Sequence, residues 1–195
     1  MPRGNRRVYD VRMVLDVVFD DRGWFEVQLK FGPAMICALA HLGGHPVAVV
    51  ANQSKVLAGS IDADAADKAA HFITVADSFH LPIVFLADNP GMLPGGRSEK
   101  SGVLRSGARM FAAQTAATTL KLHVTLRKAY GFGSLVMSLL GFDNQSATFA
   151  YPGATRGAMS AAALSRASCA IWAPRPSWPS ASRSTWPSPI SAWTP

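Results

Sequence analysis

Apolar and polar positions along the chain fall into short runs with two different periods. Residues 35–42 and 47–51 flank the Gly43-Gly44-His45-Pro46 turn and predict a hairpin. Its second arm, Val-Ala-Val-Val-Ala, is the continuous apolar run expected of a strand covered on both faces. The period then changes. Across residues 62–80, Ala65, Ala66, Ala69, Phe72, Ile73, Ala76 and Phe79 recur at helical spacing and form one apolar stripe. Asp62 and Asp64 stand at its start, where carboxylates suit the helix dipole, and Pro82 ends it. Residues 83–87 predict a short buried strand closed by Asp88-Asn89-Pro90-Gly91.

The same two periods continue. A glycine-rich loop over residues 91–102 leads to a predicted helix over 103–118, then to a strand over 121–126. Residues 127–134 follow as a connection, with an apolar helix expected over 135–140 and a strand over 147–150. Pro152-Gly153 opens a small-residue helix expected near 155–165. Before the hairpin, residues 8–18 read as an edge strand or a short entry helix, and residues 24–29 as a strand after the Asp20-Asp21-Arg22-Gly23 turn. Strands alternating with helices argue an α/β fold with mainly parallel pairing.

Composition narrows the class. The 195 residues, 49% hydrophobic and 16% charged, suffice for one domain or for one half of a two-repeat enzyme. Two cysteines give neither a metal quartet nor a disulfide framework, which points to a reduced, cytoplasmic protein. The net charge of +7 comes mainly from Arg3, Arg6 and Arg7 at one end and Arg166, Arg175 and Arg183 at the other. The body between them is nearly balanced, so no basic stripe for nucleic acid is expected. The uncharged run over residues 31–54 is broken by Pro33 and the Gly-Gly-His-Pro turn, so no membrane-spanning helix is expected, and the start lacks a signal-peptide pattern.

The composition changes at residue 166. Residues 166–195 carry Trp, Pro, Ser and Arg without Asp, Glu, Lys or Gly, and have neither helix nor strand period. This reads as an aberrant, disordered tail following a domain over residues 1–165. Off-frame translation of a GC-rich gene accounts for the codon bias; a Pro-rich interaction tail is the functional alternative.

Two segments carry candidate chemistry. In Gly131-Phe132-Gly133-Ser134, consecutive backbone N–H groups at a helix start have no partner inside the helix and carry partial positive charge. Such groups hold a phosphate or a developing oxyanion; the alternative is a tight connection without a ligand. The dinucleotide fingerprint fails because Val136 stands where a third glycine or alanine belongs. A nucleophile elbow fails because Val136 also occupies that pattern's second glycine position. The second segment is Asp88-Asn89-Pro90-Gly91-Met92-Leu93-Pro94-Gly95-Gly96, at the carboxyl end of a buried strand, where α/β folds bind ligands. The five histidines lack metal-ligand spacing; His71 and His123 read as structural.

Taken in order, Gly44-His45-Pro46-Val47, Leu57-Ala58-Gly59-Ser60-Ile61-Asp62, Lys68-Ala69-Ala70-His71-Phe72, Asp88-Asn89-Pro90-Gly91-Met92-Leu93-Pro94-Gly95 and Arg127-Lys128-Ala129-Tyr130-Gly131 resemble the carboxyltransferase (β) subunits of biotin-dependent acyl-CoA carboxylases, such as propionyl-CoA carboxylase. The resemblance runs from about residue 9 to 163. It implies a crotonase-like ββα spiral, as the single carboxyl-terminal domain of a subunit that normally carries two. It implies transfer of a carboxyl group from carboxybiotin to the α-carbon of acetyl- or propionyl-CoA. On this pattern the Phe132 and Gly133 N–H groups are the oxyanion donors, with Gly131, Ser134, Pro90, Gly91, Met92 and Leu93 lining the substrate site.

The implied cofactors are biotin on a partner protein and a CoA thioester, with no metal. The implied partners are a biotin carboxyl carrier or biotin carboxylase subunit, a complementary amino-terminal half without which the chain is inactive, and further copies of itself. The family's Gly-Ala-Tyr-Asp after the shared Tyr-Gly is replaced here by Phe132-Gly133-Ser134-Leu135. Two alternatives stand beside this reading: a catalytically inactive remnant or assembly subunit of the same family, and a crotonase-type hydratase or isomerase. The last is disfavoured because Glu26 and Glu99 lie in separate segments.

Overall fold

A computed structural model describes residues 7–21, 23–140 and 145–160. Their strands form one seven-stranded sheet in which the first six lie in chain order and the seventh, β7 (Thr155–Gly157), pairs the fifth. β1 (Phe25–Val27), β2 (Met35–Leu42) and β3 (His45–Asn52) are antiparallel neighbours, the last two forming the expected hairpin. β4 (Ile83–Asn89), β5 (Lys121–Tyr130) and β6 (Gln145–Ala150) continue in parallel from β3. Helices α2 (Ala63–Ser78) and α4 (Val103–Ala116) make the β3–β4 and β4–β5 crossovers.

Period-two alternation sorts the sheet's side chains into two cores. Met35, Cys37, Ala48, Val50, Phe85 and Ala87 point to α2 and join Ala66, Ala69, Ile73 and Met110. Their sequence neighbours Ile36, Ala38, Val47, Val49, Val84 and Leu86 form the opposite core with Val11, Leu15 and Phe19. This explains the uninterrupted apolar run of β3: both of its faces are packed. The entry segment resolves to helix α1 (Arg12–Val18), whose buried Leu15 joins this second core.

α2 starts where the sequence places it, because Asp62 accepts the Ala65 N–H at 3.0 Å as a side-chain cap. Four boundaries differ from expectation. The loop over residues 91–102 contains helix α3 (Gly96–Lys100). β5 runs on to Tyr130, past residue 126, because β7 pairs its last three residues. The helix expected over 135–140 is instead α5 (Gly131–Val136), which ends before Ser138 turns to φ 59°. The small-residue helix expected near 155–165 is contradicted over its first residues, which form β7 (Thr155–Gly157) along the end of β5; Thr155 Oγ1 also lies 2.6 Å from Tyr130 Oη. The domain boundary at residue 165 and the tail reading lie outside the described residues.

Candidate functional site

The carboxyl ends of β4 and β5 lie side by side in the parallel sheet, with Asn89 opposite Ala129. Each strand runs straight into one of the two candidate segments. β4 feeds Pro90, Gly91, Met92 and Leu93; β5 feeds Gly131, Phe132, Gly133 and Ser134. The structure therefore brings both candidates together at the end of the sheet where parallel α/β folds place ligands.

The contact between them is made by backbone. A Cβ placed on Gly133 would lie 2.6 Å from Asn89 Oδ1 and 2.7 Å from Gly91 Cα, so only glycine fits. Asn89 ties the pieces further: its Oδ1 accepts the Gly91 N–H at 3.1 Å, and its Nδ2 donates to Asn52 Oδ1 at 3.1 Å and reaches the Gly133 carbonyl at 3.5 Å. Asn52 Oδ1 also accepts the Asp88 N–H at 3.1 Å. The loop's far end is pinned by Ile61, which donates to Gly91 O and accepts from Leu93 N at 2.8 Å. Met92 and Phe132 meet over Gly107, and the Phe132 ring lies 5.9 Å from that of Phe111.

α5 begins without a side-chain cap. Its first N–H groups have no partner inside the helix. Gly131 enters at φ 56°, and Ser134 Oγ donates back to the Gly131 carbonyl at 2.7 Å, closing the turn. Phe132 is half-buried, while Gly133 and Ser134 are buried.

A buried charged pair joins the two strands: Asp88, which opens the second candidate segment, and Arg127, from the connection expected over residues 127–134. Asp88 is fully buried, and Arg127 donates to its Oδ2 from Nε at 2.9 Å. The same guanidinium reaches Ser54 Oγ and the Arg7 carbonyl, and stacks 4.5 Å from the Tyr9 ring centre. Burial first, and the Asp88 carboxylate second, push the Tyr9 phenol above its ordinary range. Lys128 donates to the Ala58 carbonyl at 3.1 Å, and burial lowers its pKa. The sequence signal for this network was the polar residues Asn52 and Asp88 closing two apolar strands.

His123 proves structural, as expected. Nδ1 lies 2.7 Å from the Met137 carbonyl and Nε2 2.8 Å from Thr125 Oγ1; the carbonyl can only accept, which fixes the proton on Nδ1. Burial pushes its pKa down to about 4. Among the described residues no three His, Cys, Asp or Glu side chains gather as a metal-binding group, and no helix is long and apolar enough to cross a membrane.

A sheet covered by crossover helices, with two backbone-rich turns meeting at its carboxyl end, is the architecture of a ligand-binding α/β domain. Residues 1–169 match the carboxyl transferase domain, and the chain belongs to that family. It is 40% identical over 163 residues to the methylmalonyl-CoA carboxyltransferase 12S subunit of Propionibacterium freudenreichii subsp. shermanii, covering 83% of this chain and 30% of that protein. It is 42% identical over 143 residues to an uncharacterized carboxylase, YngE, of Bacillus subtilis, covering 73% of this chain and 28% of that one. The crystal structure of transcarboxylase 12S, a hexamer with hydrolyzed methylmalonyl-coenzyme A bound, superposes with a TM-score of 0.81 at 38% identity, covering 87% of this chain and 33% of that one. The fold is accordingly crotonase-like. The chain spans less than a third of the length of the two curated relatives.

Proposed function

We propose that this chain is the carboxybiotin-side domain of a biotin-dependent acyl-CoA carboxyltransferase, acting on a short acyl-CoA of the acetyl or propionyl class. In that reaction the carboxyl group moves from the biotin ureido nitrogen to the α-carbon of the thioester, and the proton that the α-carbon gives up passes to the ureido nitrogen. The Phe132 and Gly133 N–H groups hold the negative charge left on the ureido oxygen, and Pro90, Gly91, Met92 and Leu93 form the facing wall. Gly131 and Ser134 line the substrate site beside them, the Ser134 Oγ bond to the Gly131 carbonyl holding the turn.

The observation that carries this reading is the uncapped first turn of α5, built on Gly131 and Gly133, at the carboxyl end of β5. Small residues there let a ureido oxygen approach the backbone, and donors already fixed in place need no reorganisation as charge develops. Only groups that bind this charge better than the resting substrate accelerate the reaction. The domain works with a complementary acyl-CoA-binding half, with a biotin carrier or biotin carboxylase partner, and as a homo-oligomer. Its activity depends on that half, and its setting is cytoplasmic.

A second reading, a family member that assembles without turning over, is favoured by the burial of Gly133 against Asn89 and Gly91. Incubating the full chain with labelled carboxybiotin and propionyl-CoA, with and without an amino-terminal carboxyltransferase domain, separates the two. Labelled methylmalonyl-CoA formed with the added domain supports transfer; no labelled product in either mixture supports assembly alone.

A further inference from the structure

The Asn89 carboxamide stands between the two loops, fully buried, and each of its contacts has a fixed polarity. The Asp88 backbone N–H can only donate, so the Asn52 atom that meets it at 3.1 Å is the oxygen Oδ1. That oxygen can only accept, so Asn89 presents Nδ2 to it, also at 3.1 Å. Asn89 Oδ1 is thereby turned to the Gly91 N–H at 3.1 Å, and Nδ2 also faces the Gly133 carbonyl at 3.5 Å. Flipping either amide would set donor against donor or acceptor against acceptor at every one of these contacts. Backbone groups from both candidate segments therefore fix the orientation of both side chains.

One carboxamide thus holds both loops. Through Oδ1 it closes a turn onto Gly91, two residues along, and the Gly91 carbonyl accepts the Ile61 N–H at 3.2 Å, which ties this loop back to the segment before α2. Across the sheet, a Cβ on Gly133 would lie 2.6 Å from the same Oδ1, so the α5 turn rests directly on the carboxamide. Asn89 is itself the last residue of β4, held in the sheet opposite Ala129, so its own backbone belongs to the scaffold and not to either loop. An apolar side chain of similar size would leave the Gly91 N–H buried without a partner, and nothing polar would set its distance from Gly133.

We propose that Asn89 is a positioning residue: its carboxamide sets the separation of the loop over residues 90–93 from the turn over residues 131–134, and so fixes where the Phe132 and Gly133 N–H groups stand. The inference rests on the carboxyltransferase reading for the reaction that is served. Asn89 touches no reacting atom and acts only through Gly91 and Gly133. Its loss therefore displaces the charge-holding N–H groups without removing them. Acyl-CoA carried by the complementary half still binds, while charge developing on the ureido oxygen meets donors out of place, so kcat falls and KM does not rise. A misplacement of about 1 Å at such a site costs about 100-fold in rate.

Asn89→Leu keeps the bulk and removes the polarity, and Asn89→Ala removes both; each is tested in the full chain, with Asn89→Ala carrying both readouts if the leucine variant does not fold. The first readout needs no turnover. Backbone 13Cα and 13C′ shifts, which report dihedral angles, move at Gly91 and over residues 131–134 in the variants and stay in place in α2. The second is transfer from carboxybiotin to propionyl-CoA with an added amino-terminal carboxyltransferase domain. There kcat falls about 100-fold in Asn89→Leu, while KM for propionyl-CoA stays within about twofold. Unchanged carbon shifts over residues 131–134 overturn the proposal, as does a rise in KM with kcat kept. Displaced shifts in a system whose wild type transfers nothing sink the carboxyltransferase reading and leave Asn89 as the residue that positions the turn. Wild-type transfer with kcat unchanged in both variants does the reverse.

Discussion

Replacing Gly133 by alanine tests the packing on which the site is built. The new methyl group would stand 2.6 Å from Asn89 Oδ1, 2.7 Å from Gly91 Cα and 2.8 Å from Gly91 C. Two of these three atoms are backbone and cannot swing aside. Gly133 does not carry a positive φ, so the cost is steric and not conformational. Overpacking in a closely packed site costs about 1–3 kcal/mol, and a clash that only backbone movement relieves belongs at the upper end, about 3 kcal/mol. Gly96→Ala is the matched control: no heavy atom lies within 4 Å of its Cβ position, its φ is ordinary, and its change stays within about 0.5 kcal/mol. Urea unfolding followed by far-ultraviolet circular dichroism reads both. A Gly133→Ala variant as stable as Gly96→Ala would mean that the α5 turn does not rest on the Asn89–Gly91 backbone, and the site geometry would fail with it.

Arg127→Met leaves the Asp88 carboxylate buried and without its cation, which costs about 3–5 kcal/mol in urea unfolding. Adding Asp88→Asn recovers part of that loss; a single-variant cost below about 1 kcal/mol would contradict the pairing. His123 has a folded-state pKa of about 4 against an ordinary 6.5, so the unfolded chain takes up the proton first as pH falls. Stability is therefore fully present above pH 6.5, declines as pH drops toward 4, and levels off below it, by up to about 3 kcal/mol in total. His123→Gln removes that slope; an unchanged slope in the variant would show that another group titrates.

Much of the scaffold was legible because its signals are local. The β2–β3 hairpin followed from a Gly-Gly turn between apolar runs, and α2 from its apolar stripe, capping Asp62 and terminal Pro82. The misplaced boundaries lie where long-range pairing decides. Thr155, Arg156 and Gly157 have no strand period of their own; they are extended because the end of β5 has an unpaired edge. Arg127 and Lys128 were expected in a connection after the strand; both are buried in β5, since Asp88 and the Ala58 carbonyl supply partners from 39 and 70 residues away. The glycine turns were visible as motifs, but not that Gly133 would press on Gly91, nor that Asn52 and Asn89 would bind the two loops together.

The amide resonances of Phe132 and Gly133, followed by 1H–15N spectroscopy as the isotopically labelled chain is titrated with biotin amide, test the central claim most directly. Saturable downfield proton shifts at these two amides, larger than those elsewhere in the sheet, are the predicted result. Binding that moves other amides and leaves Phe132 and Gly133 unchanged would contradict it.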